Sequence, residues 1–305
     1  MYFHELTGDV VRRRLGVDDQ YVVDGVLAFG VFDRYAGSIV RDVARHGEQQ
    51  GLDVAMQPIE VTEYSHAVEV VAGRGGVIRR LWLVPVMGTA MMAYYVHLAC
   101  LLEARAIVLG GSVGGLAAGM ATGDIVVPTS MVGNDNALLY ARHSAPSTVP
   151  ARGSGLPRDS ARQVPDAGLG SALAERLAVL QPEVTIWRGE TTTCEMLGAE
   201  TARDVAEWAA AGFVAVEMEA AVVCAVGRAF GVPAAAAFYV ADCLVDGHHL
   251  YHAAYGESRT VRRDARRLVA AAAVDVLLDT LSDEAGVVPT SETAQDSAQD
   301  QDSQV

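Results

Sequence analysis

Lysine is missing from all 305 residues; the 23 basic positions are all arginine. Schiff-base catalysis, a P-loop lysine and a covalent pyridoxal cofactor each need a lysine amine, so all three are excluded. Positive charge of any kind is scarce, because 38 acidic residues leave a net charge of −15. A nucleic-acid backbone is held by basic patches, so nucleic acid is not an expected partner. Any phosphate must be held by arginine, hydroxyls or backbone amides. Cysteine is limited to Cys100, Cys194, Cys224 and Cys243, far apart and without a CxxC pair. That argues against a zinc ribbon or a disulfide framework, and each cysteine reads as a small buried hydrophobe. No window approaches the roughly 18 consecutive apolar residues of a membrane span, and residues 1–20 carry charges instead of a signal-peptide apolar region. The expectation is a cytoplasmic protein that does not contact a membrane.

What is present is apolar residues in quantity, 51% of the chain, enough for a sizeable core. Short apolar runs alternate with helical patterns. Strands are expected at Val22–Phe29, Arg80–Val86, Ala106–Leu109, Asp124–Thr129, Val184–Arg188, Phe213–Val216 and Ala234–Val240. Helices are expected at Asp33–Gln50, Ala90–Leu102, Gly170–Leu180, Glu200–Ala211, Glu217–Phe230 and Glu257–Leu281, the last with an arginine-rich first half that reads as a solvated face. This alternation implies α/β architecture: a three-layer α/β/α sandwich on a mixed, largely parallel central sheet. Residues 1–20 read as an N-terminal extension, 21–282 as one domain and 143–168, rich in Pro, Gly and Ser, as a surface loop within it. Residues 283–305 hold six acidic residues and no basic ones, and read as a disordered acidic tail.

In such sheets ligands sit beyond the carboxyl ends of the strands. Four segments place chemistry there. In VEMEAAVVCAVGRAFGVP (216–233), Glu217 and Glu219 flank Met218 where a strand gives way to a helix. They either start the helix, where its dipole favours acids, or act as partly buried carboxylates that need partners. In AAAAFYVADCLVDG (234–247) a buried strand runs into Asp242, which either caps a turn or acts as an acid in an apolar pocket. In AIVLGGSVGGLAAGMATGDIVVPTS (106–130) a strand opens into glycines around Ser112, and Gly123-Asp124 begins another strand. That is either a plain strand turn or a loop that brings backbone amides close to a ligand. In VLAFGVFDR (26–34) a strand ends at Gly30, with Arg34 four residues later.

Together these segments resemble the purine nucleoside phosphorylase / uridine phosphorylase / methylthioadenosine nucleosidase family over roughly residues 20–282. The resemblance implies that Glu219 accepts hydrogen bonds from the ribose hydroxyls and that Met218 packs against the sugar, with Met87 of Met87-Gly88-Thr89 approaching it. It implies Asp242 as general acid at the purine base, at the family's offset of 23 positions from the second glutamate, although Ala241 stands where the family usually has serine. Gly30, Arg34 and Ser112 would bind phosphate. Met196, Leu197 and Glu217 would lie on the base side, with an aliphatic contact where the family often has an aromatic one.

The resemblance is uneven. The phosphorylases place an arginine three residues before the serine, and here that residue is Leu109, as in the hydrolytic branch. Val31-Phe32 replaces the Asp-Pro of the phosphorylase turn, and the nearby Asp33 does not fit the offset of the hydrolases' water-activating glutamate. The first reading is phosphorolysis of a purine nucleoside with inorganic phosphate as co-substrate and no metal or organic cofactor. The second is a phosphate-independent nucleosidase, and the third a nucleoside-binding protein without catalysis. A homo-oligomer is implied. His248, His249 and His252 lack the spacing of a metal site and read as part of a loop near the pocket.

Overall fold

A computed structural model describes residues 6–60, 67–74, 77–133, 162–197 and 200–283 of the chain. Its strands are β1 (Gly25–Gly30), β2 (Asp53–Pro58), β3 (Val68–Arg74), β4 (Val77–Pro85), β5 (Ala106–Gly115), β6 (Ile125–Val132), β7 (Arg162–Gln163), β8 (Ile186–Thr193), β9 (Ala215–Glu217) and β10 (Ala234–Cys243). Its α-helices are α1 (Gly8–Leu15), α2 (Asp33–Gln49), α3 (Thr89–Leu101), α4 (Ala167–Leu180), α5 (Ala202–Ala210), α6 (Ala220–Phe230) and α7 (Arg259–Asp283). The expected α/β/α sandwich on a mixed sheet is the architecture observed. Among the described residues, no helix is long and apolar enough to cross a membrane.

The sheet has two parts. β2, β3, β4, β1 and β5 follow one another as an open run, antiparallel at the β2–β3–β4 edge and parallel from β4 through β1 to β5. Beyond β5 the sheet closes on itself, because β5 pairs with both β10 and β9, and β6 and β8 complete the circuit. β1 is buried at all six positions, GVLAFG, as a strand covered on both faces must be. One face packs under α1, α3 and α6 around Trp82, Tyr95 and Phe238. The other packs under α2, α4 and α7 around Phe29, Ile39 and Leu277. Each such side chain contributes roughly 1.5–3 kcal/mol by leaving water.

Several elements depart from the sequence expectation. The strand expected to stop at Leu109 runs on to Gly115, so the glycine stretch is strand and not loop. Its glycines serve packing: a Cβ at Gly110 would strike the Phe29 ring, and one at Gly115 would meet Met120 Sδ at 2.7 Å. β2 and β3 were not expected. β2 is a mostly exposed edge whose residues, DVAMQP, give a weak alternating pattern. α1 was not expected either; Thr7 caps its start, Gly16 ends it in the left-handed region, and Val11 is buried. Arg12 ties it to the domain, donating to the Tyr21 carbonyl at 2.9 Å and to Glu103 Oε1 at 2.5 Å. Most of the stretch expected as a 143–168 loop lies outside the described residues. Its end is ordered structure, with β7 pairing β6 and α4 starting at Ala167 behind an Asp166 cap. The tail from residue 284 lies outside the described residues.

α7 is locked in place by charge. Asp42 on α2 accepts from Arg266 at 2.7 Å and from Arg267 at 3.2 Å, His46 meets Asp275 at 2.7 Å, and Arg176 on α4 donates to Asp279 at 2.6 Å. The helix that borders the site is thus fixed to both of its neighbours.

Candidate functional site

The ends of β1, β5, β9 and β10 converge on a cavity of about 110 Å³. Of the residues singled out above, Gly30, Met87, Ser112, Leu197, Glu217, Met218, Glu219 and Asp242 line it. Met196 does not; it is 63% exposed. Arg34 lies in the first turn of α2, and its side chain is outside the described residues. His248, His249 and His252 are exposed and do not line the cavity; the loop reaches it through Leu250 and Tyr255 instead. Among the described residues, no group of three His, Cys, Asp or Glu side chains is arranged to hold a metal.

The two glutamates divide the roles that their spacing left open. β9 ends at Glu217 and α6 begins at Ala220, so the chain turns from strand to helix within two residues. Glu217 serves that turn: its Oε2 accepts from the Glu219 and Ala220 amides at 2.7 and 2.5 Å, and its Oε1 accepts from the Thr193 hydroxyl. Thr193 in turn accepts from the Ala221 amide at 3.2 Å. These are the orphan donors of a helix start, satisfied by a carboxylate from the preceding strand. Glu217 therefore borders the cavity with its acceptors already committed to α6.

Glu219 is released to face the other way. It occupies the N-cap position without capping α6 by its side chain. Its Oε1 accepts from the Gly88 amide at 2.6 Å, and the carboxylate lies against Gly30. Gly30 has to be glycine, since a Cβ there would overlap Glu219 Oε2. Gly88 has φ +93°, a conformation that side chains rarely adopt, and this aims its amide at the glutamate. Three distant pieces of sequence thus fix one carboxylate. Burial raises the Glu219 pKa from 4.5 to about 8 against the Gly88 hydrogen bond, with the Glu217 charge adding to it. Burial likewise raises Glu217 to about 7.

Asp242 sits where β10 shifts register against β5, between Val240 and Asp242. Such a bulge re-aims a side chain, and here it brings Asp242 to the cavity wall. Burial raises its pKa from 3.8 to about 7; the Glu200 charge adds to the rise, while the Leu250 amide and Arg262 oppose it. At neutral pH this carboxyl is poised to hold a proton and give it up. The Gly123-Asp124 pair secures the same strand end. Gly123 has φ +97° and donates to the Val240 carbonyl at 2.9 Å, while Asp124 Oδ2 accepts from Trp187 at 2.8 Å.

Glu200 was missed as a lining residue. It read as the first residue of a helix, but Thr201 and Asp204 form a reciprocal capping box that starts α5 at Ala202. The Thr-x-x-Asp spacing was the available signal. Burial, with Asp204 nearby, raises the Glu200 pKa.

A family model described as the phosphorylase superfamily matches residues 40–278. The chain belongs to the phosphorylase superfamily. The match to this superfamily begins ten residues beyond Gly30, so the β1–α2 turn stands outside it. No curated protein matches the sequence. Solved structures share the superfamily fold. Uridine phosphorylase from Vibrio fischeri ES114 is 17% identical, with a TM-score of 0.61 over 86% of this chain and 95% of that one. Purine nucleoside phosphorylase from Toxoplasma gondii in complex with immucillin-H is 14% identical, with a TM-score of 0.57 over 85% and 94%. A mutant of Helicobacter pylori MTAN with 5′-methylthioadenosine in its active site is 16% identical, with a TM-score of 0.57 over 86% and 99%. At these identities the likeness shows a common superfamily fold.

Proposed function

We propose that the chain is a nucleoside phosphorylase that cleaves the N-glycosidic bond of a purine or purine-like nucleoside with phosphate. The observation that carries this reading is the pair Glu219 and Asp242, two carboxylates of different setting on one small cavity. Glu219, held by backbone with its carboxylate toward Gly30, suits the vicinal diol of ribose, since a carboxylate accepts through two oxygens. Met218 and Met87 offer apolar contact to the sugar. Asp242, with its pKa raised to about 7, suits the general acid.

In the reaction a phosphate oxygen attacks C1′ as the C1′–N9 bond breaks and positive charge spreads over the ribose. The bonding electrons pass to the base, and Asp242 donates its proton, or a strong hydrogen bond, at N7. Free base and ribose 1-phosphate result. Gly30, Ser112 and Arg34 are assigned to phosphate, and Leu197 to the base. No metal or organic cofactor is assigned a part. A homo-oligomer is proposed, and the exposed Met87 and Met91 offer an apolar surface for it.

One observation favours a second reading. Leu109, at the place of the phosphorylases' arginine, is fully buried in the core and brings no charge to the cavity. That favours a phosphate-independent nucleosidase of the methylthioadenosine type. Incubation with adenosine, inosine, guanosine and methylthioadenosine, with and without phosphate, separates the two readings by release of free base. Release that requires phosphate is expected; equal release without it establishes hydrolysis, and binding without release would leave a nucleoside-binding protein.

A further inference from the structure

A second cleft, of about 200 Å³, opens beside the nucleoside cavity and shares Ser112 and Tyr255 with it. Its outer wall is the start of α7, where Arg259, Arg262, Arg263 and Arg266 all line it. In a chain with net charge −15 and no lysine, this is an unusual concentration of positive charge. No Asp or Glu lines the cleft among the described residues.

The four guanidinium groups are not equivalent. Arg266 is neutralised by the buried Asp42. Among the described residues Arg263 pairs with its exposed neighbour Asp264, at 3.1 Å. Arg262 donates to the Tyr255 carbonyl at 2.6 Å and to Ser258 Oγ at 2.5 Å, and lies 3.5 Å from the Tyr255 ring centre. Those hydrogen-bond partners are neutral, and the Arg262 charge reaches Asp242 of the adjoining cavity. Arg259 is exposed and makes no ion pair among the described residues. The placement also runs against the helix dipole, which disfavours cations at an N-terminus, and the first turn of α7 holds no acidic residue to compensate. An anion in the cleft reconciles both features, and the hydroxyl residues Ser38, Tyr239 and Ser112 line the cleft beside the arginine forks.

We infer that this cleft is an anion subsite for a phosphate-class dianion, held by Arg259, Arg262 and Arg263 and joined to the nucleoside cavity through Ser112. The inference rests on the nucleoside reading of the adjoining cavity. It gives the chain phosphate ligands on α7 where position 109 supplies none. The dianion has two sources, inorganic phosphate as co-substrate or the phosphate ester of a nucleotide bound across both cavities.

Calorimetric titration of the full chain distinguishes them, with inorganic phosphate alone, adenosine and adenosine 5′-monophosphate as separate probes. The double variant Arg259→Gln/Arg263→Gln removes two exposed side chains and keeps the fold, and Arg203→Gln on α5 is the control. If the source is free phosphate, its affinity falls about tenfold or more in the double variant, holds in the control, and weakens as salt is raised. If the source is an ester, wild type binds the monophosphate about tenfold or more tighter than adenosine, and the double variant loses that margin. Arg262→Lys, which keeps the charge but not the fork, lowers the same affinity by a smaller factor. The inference is overturned if phosphate and monophosphate bind the double variant as they bind wild type, or if wild type binds no phosphate and binds the monophosphate no more tightly than adenosine. Because phosphate is titrated without nucleoside, this result stands apart from the base-release assay: either can fail while the other succeeds.

Discussion

Glu219 lines the first cavity and Arg259 the cleft beside it, and they are held in opposite ways. Glu219 is 4% exposed, takes its hydrogen bond from a backbone amide, and lies against a glycine that admits no side chain. Arg259 is exposed on a helix surface, and no backbone group among the described residues fixes its end. The glutamate wall depends on strand ends, two glycines and a strand-to-helix turn, so altering it means altering the fold. The arginine wall consists of long side chains on a helix anchored elsewhere, so it can be rebuilt by substitution alone.

The comparison can be broken by experiment. The largest effect is expected at the base end, where Asp242→Asn should lower kcat by about 10²–10⁴-fold with KM little changed. Unchanged kcat removes Asp242 from the chemistry. Next, Glu219→Gln exchanges an acceptor oxygen for a donating NH2 group beside the proposed ribose site, so kcat/KM should fall by about ten- to a hundredfold. A smaller loss than that of the arginine double variant would reverse the ranking of the two walls. Gly30→Ala forces a methyl group into the Glu219 carboxylate and should lower stability by about 1–3 kcal/mol, read as an earlier urea midpoint. A neutral outcome would mean that the glutamate wall is as forgiving as the arginine wall.

The last comparison is pH dependence. Glu217, Glu219 and Asp242 have ordinary values of 4.5, 4.5 and 3.8, raised by burial to about 7, 8 and 7. Between those limits these three groups bind more protons in the folded chain than in the unfolded one, so their contribution to stability is fully present below about pH 4 and is lost as pH rises to about 8. Arginine charge is constant over this window, which confines the effect to the carboxylate wall. Thermal midpoints from pH 5 to 8.5 should fall, and Glu217→Gln should flatten the curve; a midpoint that rises with pH contradicts the assignment.

How far the site was legible depends on what set each feature. The parallel strands and the helices covering them were readable because burial on both faces leaves long apolar runs, as in GVLAFG and AAVVCAVG. The edge strand β2 was not, since a mostly exposed strand carries little pattern. Glu219 and Asp242 were singled out by the family resemblance, since spacing alone left a helix start and a turn cap equally open. The separate duty of Glu217 was not, because it depends on Thr193, which only the fold brings beside it. The glycines of β5 read as a loop, since sequence cannot distinguish room for a neighbour's ring from freedom of the backbone. The arginines of α7 read as a solvated face; only the packing of α7 against α2 and β10 places them on a cleft beside Ser112.

The most direct test is to follow the intact chain acting on a purine nucleoside in phosphate buffer by ³¹P NMR. A ribose 1-phosphate signal that grows in step with free base is the expected result. Free base appearing with ribose while the phosphate signal stays unchanged would contradict it.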